Sequence, residues 1–232
     1  MTASTLTRLS CVLFDLDGTL VDSAPGITEC LADTIRHSGG PSMTSETLRR
    51  YVGPPIDETL LALTSLPRAD LPMAISHYRS AYLERGIHNS VVFPGIHALL
   101  TMLRECGVTL AVATSKREDH ALAMLKMHSL DTYFAVVSGA NIDDSGASKP
   151  AVIAAALAQL AGDAKAPLMI GDRSFDMAGA RAMNIPALYA EWGYGTPEES
   201  EGAALSARDP HHASALLHDY CAPSARQRNG AS

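Results

Sequence analysis

The sequence predicts an α/β fold: a doubly wound parallel sheet of the Rossmann-like kind, with an α-helical segment inserted after the first strand. Three observations predict it. Short apolar runs alternate with amphipathic helical patterns along most of the chain. The first two of those runs are separated by about 95 residues that contain no comparable run, too many for one crossover connection. The runs ending near Phe14, Ala113 and Ile170 are each followed at once by carboxylates or hydroxyls, the pattern of strands whose ends carry chemistry.

Taken in order, Cys11 to Phe14 read as a short, fully buried strand that Gly18 breaks. The next strands are expected at 109–113, 134–137, 168–170 and 187–189. Between the first two, residues 24–38, 44–51, 55–65 and 70–86 have helical periodicity. Gly39-Gly40-Pro41, Gly53-Pro54-Pro55 and Leu66-Pro67 punctuate them. This pattern predicts a small four-helix bundle with hinges near Val21 to Ser23 and Val91 to Gly95. The chain therefore divides into an α/β core (1–21 and 94–221), a helical insertion (22–93) and a small, polar tail expected to be disordered (222–232). The 32 residues between Lys116 and Lys149 fit one helix and one strand, leaving no room for a second large insertion.

Composition narrows the functional classes. With 232 residues, 47% hydrophobic and 19% charged, the chain can bury a substantial core. Its net charge of -7 disfavours nucleic acid and anionic membranes as partners. Cys11, Cys30, Cys106 and Cys221 are far apart without a Cys-x-x-Cys pair, so free thiols in a reducing compartment are expected. Met1 to Arg8 lack the apolar core of a signal peptide, and no run approaches the roughly 20 apolar residues of a membrane helix. These features predict a cytoplasmic protein, monomeric or homodimeric. His211, His212 and His218 lack metal-ligand spacing, and no dinucleotide or P-loop glycine pattern is present. Met169, Met177 and Met183 read as core filler. Trp192-Gly193-Tyr194-Gly195 suits either a loop near a site or an ordinary turn with packed aromatics.

The richest segment is Phe14-Asp15-Leu16-Asp17-Gly18-Thr19-Leu20. In an extended chain Asp15 and Asp17 project to the same side and repel unless a cation or a proton lies between them. An Asx-type turn with two solvated acids is the plainer alternative. Further along come Thr114-Ser115-Lys116, then Ser148-Lys149-Pro150, then Gly171-Asp172-Arg173-Ser174-Phe175-Asp176. These four segments, in this order, resemble the four motifs of the haloacid dehalogenase superfamily, whose members are mostly phosphatases. The resemblance covers about residues 10 to 195. The stretch Phe14 to Gly26 is most similar to the phosphoglycolate phosphatase branch, in which the helical insertion forms a cap.

The resemblance implies a phosphatase for a small phosphorylated metabolite, with Asp15 as nucleophile and Asp17 as general acid and base. Thr114, Ser115 and Lys149 are implied phosphate-binding groups, and Thr114 and Lys149 are counted with the catalytic set. Mg2+ is the implied cofactor, held by the Asp15 carboxylate, the Asp17 backbone carbonyl and Asp172, with Asp176 completing the site directly or through a water. In the cap, Arg49, Arg50 and the Gly53 turn are candidate specificity residues for a substrate carboxylate or second phosphate. Plainer readings stand beside these: Thr114-Ser115 as helix N-cap, Lys149 as a solvated lysine, Asp172 and Asp176 as capping or first-turn acids, the arginines as a solvated face. Phosphoglycolate is the favoured substrate. A 5'-nucleotidase or other phosphomonoesterase of the family, a sugar phosphomutase and a catalytically silent binding module follow in that order. Ser115 and Arg173 depart from the phosphoglycolate phosphatase pattern. The absence of lysine from residues 22–93 excludes the Schiff-base phosphonoacetaldehyde hydrolases, and Asp17 argues against the dehalogenases themselves.

Overall fold

The computed structural model describes residues 8–143 and 145–221; the expected tail at 222–232 and residues 1–7 lie outside the described residues. Strand β1 (Cys11–Phe14) leads to the two-residue β2 (Val21–Asp22). Helices α1 (Ala24–His37), α2 (Ser45–Arg49), α3 (Ile56–Leu63) and α4 (Leu71–Glu84) follow, and the two-residue β3 (Val91–Val92) closes the segment. Next come α5 (Ile96–Glu105), β4 (Thr109–Arg117), α6 (Glu118–Met127), β5 (Val136–Ala140) and α7 (Lys149–Leu160). The chain continues through β6 (Pro167–Gly171), α8 (Ser174–Ala182), β7 (Ala187–Ala190), β8 (Leu205–Ala207) and α9 (Pro210–His218).

Six strands form one parallel sheet in the order β5-β4-β1-β6-β7-β8. All four residues of β1 are buried, because helices cover both faces of the sheet; hence the continuous apolar run. Val12 and Phe14 point into a cluster with Leu99 and Leu103 of α5, Leu125 of α6 and Leu217 of α9. Cys11 and Leu13 meet Ile153 and Ala156 of α7 and Met177 and Ala180 of α8 on the other face. From β1 the chain winds outward to β4 and β5, then crosses back to β6 on the opposite side. The order of winding reverses there, leaving a crevice at the carboxyl ends of β1, β4 and β6.

The helical segment owes its helices to apolar stripes. Ile27, Leu31 and Ile35 of α1 recur at helical spacing and are buried, and Leu48, Leu60 and Tyr82 bring α2, α3 and α4 into the same apolar cluster. Its two ends are stapled together where hinges are expected, since β2 and β3 pair antiparallel with Val21 opposite Val92. Pairs of two-residue strands leave no periodic signature.

Three differences from the sequence expectation have physical causes. Strand β5 starts at Val136 rather than 134, because Asp131–Tyr133 forms a 3-10 turn and the Phe134 ring packs edge-on against Phe14 at 6.1 Å. Strand β4 runs past Ala113 to Arg117, its polar end still paired with β5 across a register shift. Strand β8 is three residues long at the sheet edge, too short to stand out as an apolar run. Among the described residues no helix is long and apolar enough to cross a membrane.

Candidate active site

The crevice is built from strand ends inward. Asp15 is the first residue beyond β1, and its N–H donates to the Ile170 carbonyl at 2.9 Å, which holds it in line with the sheet. The chain then turns back on itself at Gly18, whose φ of +86° is in the left-handed region. A Cβ at Gly18 would lie 2.3 Å from Asp172 Oδ2, so glycine answers both the turn and the close approach of Asp172.

Asp15, Asp172 and Asp176 are all buried, and each can place a carboxylate oxygen within 4.8 Å of the others. One cation faces two of them: Lys149 Nζ is 2.8 Å from Asp15 Oδ1 and 2.9 Å from Asp176 Oδ1, and it donates to the Ala113 carbonyl at 3.2 Å. Gly179 of α8 makes way for the lysine stem, since a Cβ there would lie 2.7 Å from Lys149 Cγ. Asp172 accepts from the Thr19 hydroxyl at 2.9 Å and from the Tyr194 N–H at 2.8 Å. Asp176 accepts from the Arg173 N–H at 3.0 Å, capping α8 while its other oxygen faces Lys149.

The electrostatics follow from burial. Desolvation, reinforced by the charges of Asp176 and Asp15, holds the Asp172 carboxyl well above the ordinary carboxylate range. Desolvation also raises Asp176, to about 6, against the opposing pull of Lys149. Burial works to lower the Lys149 pKa, but the two carboxylates beside it outweigh that effect and raise it. Three acids against one lysine leave an excess of negative charge in a low-dielectric pocket. Asp15 Oδ1 and Asp176 Oδ1 meet that lysine at ion-pair distance without an aligned hydrogen bond. An all-oxygen donor set with excess negative charge fits a hard divalent cation.

Asp17 occupies a different environment. Its carboxylate accepts from the Ser23 hydroxyl at 2.5 Å and lies 2.9 Å from Lys116 Nζ. Asp15 thus faces Lys149 and Asp17 faces Lys116, and the Asp17 carboxylate stands outside the three-acid cluster.

The other expected residues are placed as follows. Thr114 is buried in β4 with its hydroxyl accepting from the Lys116 N–H at 3.3 Å. Ser115 lines a cleft in front of Asp17 that opens to solvent. The N-cap alternative for Thr114-Ser115 fails, because β4 extends to Arg117 and α6 starts at Glu118. The solvated-lysine alternative for Lys149 fails as well, since only 6% of the residue is exposed. Gly53 lines the cleft, but Arg49 and Arg50 do not. Arg49 stacks over the Tyr194 ring at 5.0 Å and borders a separate concavity between α1 and α2. Arg50 lies over Tyr51. Helix α2 is about a turn and a half whose buried side is Leu48, and both arginines, the expected specificity residues, are on its exposed side.

Sequence reasoning missed several groups. Lys116 belongs to one of the quoted motifs, yet its partner Asp17 is about 100 positions away. Arg173, a departure from the phosphoglycolate phosphatase pattern, is 8% exposed, donates to the backbone carbonyls of Val52 and Arg50, and pairs with Glu199 at 3.0 Å. It thereby ties the end of β6 to the turn after α2. The loop Trp192 to Gly195 is at the site: Trp192 donates to the Thr19 carbonyl, and the Tyr194 hydroxyl donates to Asp22 while accepting from the Ser23 and Ala24 N–H groups.

This geometry can be set beside known proteins. Residues 12–190 match the family of haloacid dehalogenase-like hydrolases. The chain belongs to that family. It is 44% identical over 184 residues to the tyrosine-protein kinase PtkA of Mycobacterium tuberculosis, a match covering 79% of this chain and 62% of that protein; it thus spans less than two thirds of that relative. It is 31% identical over 221 residues to a 5'-nucleotidase of Pseudomonas aeruginosa, 95% of each chain. To a phosphoglycolate phosphatase of Caulobacter vibrioides it is 32% identical over 200 residues, 84% of each. Among solved structures, that of a predicted phosphatase from Clostridium acetobutylicum superposes with a TM-score of 0.86 at 31% identity, covering 93% of this chain and all of that one.

Proposed function

We propose that this hydrolase is a magnesium-dependent phosphoric monoester hydrolase that cleaves a small phosphorylated metabolite through an aspartyl-phosphate at Asp15. The single observation that carries the reading is the position of Asp15. It stands at the switch point of the sheet, in ion-pair contact with Lys149 and grouped with Asp172 and Asp176. An oxygen of Asp15 attacks phosphorus as the bond to the leaving oxygen breaks, and Asp17 gives that oxygen its proton. Asp17 then takes a proton from the water that attacks the aspartyl-phosphate, which releases inorganic phosphate and restores Asp15. Lys149, Thr114 and Ser115 compensate charge on the phosphoryl oxygens and hold them in line. Magnesium, held by Asp15, the Asp17 carbonyl and Asp172 with Asp176 behind them, would supply the positive charge that lets an anionic nucleophile approach an anionic ester.

The helical segment 22–93 acts as a cap over the core, and four free cysteines suit a reducing, cytoplasmic setting. Phosphoglycolate and a nucleoside 5'-monophosphate are the two substrate candidates, each supported by a relative named for it. The identity to PtkA supports a second reading, transfer of a phosphoryl group to protein tyrosine. One assay separates the readings. The purified protein is expected to release phosphate from an aryl phosphate with magnesium, to stop with chelator, and to be inactive but folded by circular dichroism as Asp15→Asn. Sustained labelling of a protein tyrosine from ATP, without ester hydrolysis, favours the kinase reading instead.

A further inference from the structure

The cleft in front of Asp17 contains chemistry that the phosphoryl pocket does not use. Tyr78 and Tyr82 of α4 stack at 6.0 Å with an interplanar angle of 18°, and His120 of α6 stacks on Tyr82 at 5.7 Å and 26°. A column of three near-parallel rings therefore runs from the cap to the core, and all three line the cleft together with apolar Ile27 and Leu31. His120 is 4% exposed, yet its Nε2 has no hydrogen-bond partner among the described residues. Burial first, and then the nearby Lys116 charge, lower its pKa to about 4, so at neutral pH it is an uncharged imidazole that can donate or accept one bond. Buried polar atoms without partners are uncommon in native proteins. This one borders the cleft that ends at Asp17, the residue proposed to protonate the leaving oxygen.

Resting on the phosphomonoesterase reading, we infer that this cleft is a leaving-group subsite for phosphomonoesters carrying a flat heterocyclic ring, which packs among Tyr78, Tyr82 and His120 while His120 Nε2 bonds its polar edge. Ring-on-ring packing gives such a leaving group area and orientation. A short acyclic acid such as glycolate would gain neither. Two of the cations lining the cleft already face carboxylates, Lys116 with Asp17 and Arg117 with Asp119.

The test compares kcat/KM for a nucleoside 5'-monophosphate, for phenyl phosphate, which has a ring without a polar edge, and for phosphoglycolate, which has no ring. The nucleotide is expected to exceed phosphoglycolate by about tenfold or more, the scale of one added binding contact. In His120→Phe, which keeps a ring but removes the nitrogen, the nucleotide-to-phenyl-phosphate ratio is expected to fall about tenfold. His120→Gln, which keeps a hydrogen-bonding group at the site, is expected to recover part of that ratio and covers the case in which the phenylalanine variant does not fold. The dephosphorylated nucleoside, titrated calorimetrically, should bind the wild type and lose affinity in parallel. Phosphoglycolate turnover equal to or above that of the nucleotide overturns the inference while leaving the phosphomonoesterase reading intact. So does an unchanged ratio in both variants. Failure to hydrolyse any of the three esters defeats that reading, and the inference falls with it.

Discussion

The phosphoryl pocket and the cap-facing cleft adjoin at Asp17 but are built on opposite principles. In the pocket, Asp15, Lys149, Asp172 and Asp176 are almost wholly buried, held by the ion pairs of Lys149 with Asp15 and Asp176 and by hydrogen bonds from Thr19 to Asp172 and from the Arg173 N–H to Asp176. The cleft mixes rings and apolar side chains with cations such as Lys116 and Arg117, opens to solvent, and draws on both α4 of the helical segment and α6 of the core. The pocket is organised around charge, and charge buried at low dielectric tolerates little displacement. The cleft is organised around area and shape, which many side chains can supply. Family membership therefore speaks to the reaction, while the proposed leaving-group reading rests on this chain's own helical segment.

That contrast can be broken from either side, and the largest expected effect lies in the pocket. Lys149→Ala should lower kcat/KM for every ester by a similar factor, on the order of 10³, because its proposed partner is the phosphoryl group common to all substrates. It should also destabilise the protein by about 3 to 5 kcal/mol in denaturant titrations, since Asp15 and Asp176 lose their cation in a buried site. A loss confined to one substrate would place Lys149 in the cleft's economy instead.

Magnesium provides a graded test of the same pocket. Asp172 and Asp176 have carboxyl groups raised above their unfolded values. In the metal-free protein their contribution to stability is therefore present at low pH and lost as pH rises, for Asp176 through about 6. A cation binds the deprotonated forms, so the rise in Tm on adding magnesium should be small at pH 5 and should grow toward pH 7.5. An increment that is independent of pH would remove these carboxylates from the metal site.

Arg173→Ala sharpens the boundary between the regions, because this arginine links the end of β6 to the carbonyls of Arg50 and Val52. It should lower kcat/KM about tenfold for small and ring-bearing esters alike and increase proteolysis in the turn at 50–55. Arg49→Ala and Arg50→Ala should have the smallest effect, within about twofold on the ratio of phosphoglycolate to aryl phosphate kcat/KM, because neither side chain lines the cleft. A selective loss for phosphoglycolate would return them to the substrate.

The unequal legibility of the two regions has the same physical origin. Asp15 and Asp17 stand out because paired carboxylates after a buried strand need a reason to be there, whereas Lys149, Asp172 and Asp176 gain their roles from the resemblance of four motifs in order. The core strands stand out because burial on both faces makes β1 and β6 unbroken apolar runs. Gly18 and Gly179 carried further information, each leaving room for a charged partner far away in sequence, but a glycine does not name the residue it accommodates. The cap's helices were legible from their periodicity, whereas the orientation of Arg49 and Arg50 depends on how one short helix rolls around Leu48. Tyr82 and His120 are ordinary helix residues until folding stacks them at 5.7 Å. Strands β2, β3 and β8 are two or three residues long, below the length at which alternation can be seen.

The covalent role of Asp15 is the claim on which the rest depends, and chemical trapping tests it most directly. An enzyme sample quenched during turnover of an aryl phosphate with magnesium and treated with borohydride should have its acyl phosphate reduced to the alcohol. Peptide mass spectrometry should then find homoserine at position 15 and unmodified aspartate at 17, 172 and 176. Homoserine at one of those other positions, or none anywhere under conditions of steady phosphate release, would contradict the assignment of Asp15 as nucleophile.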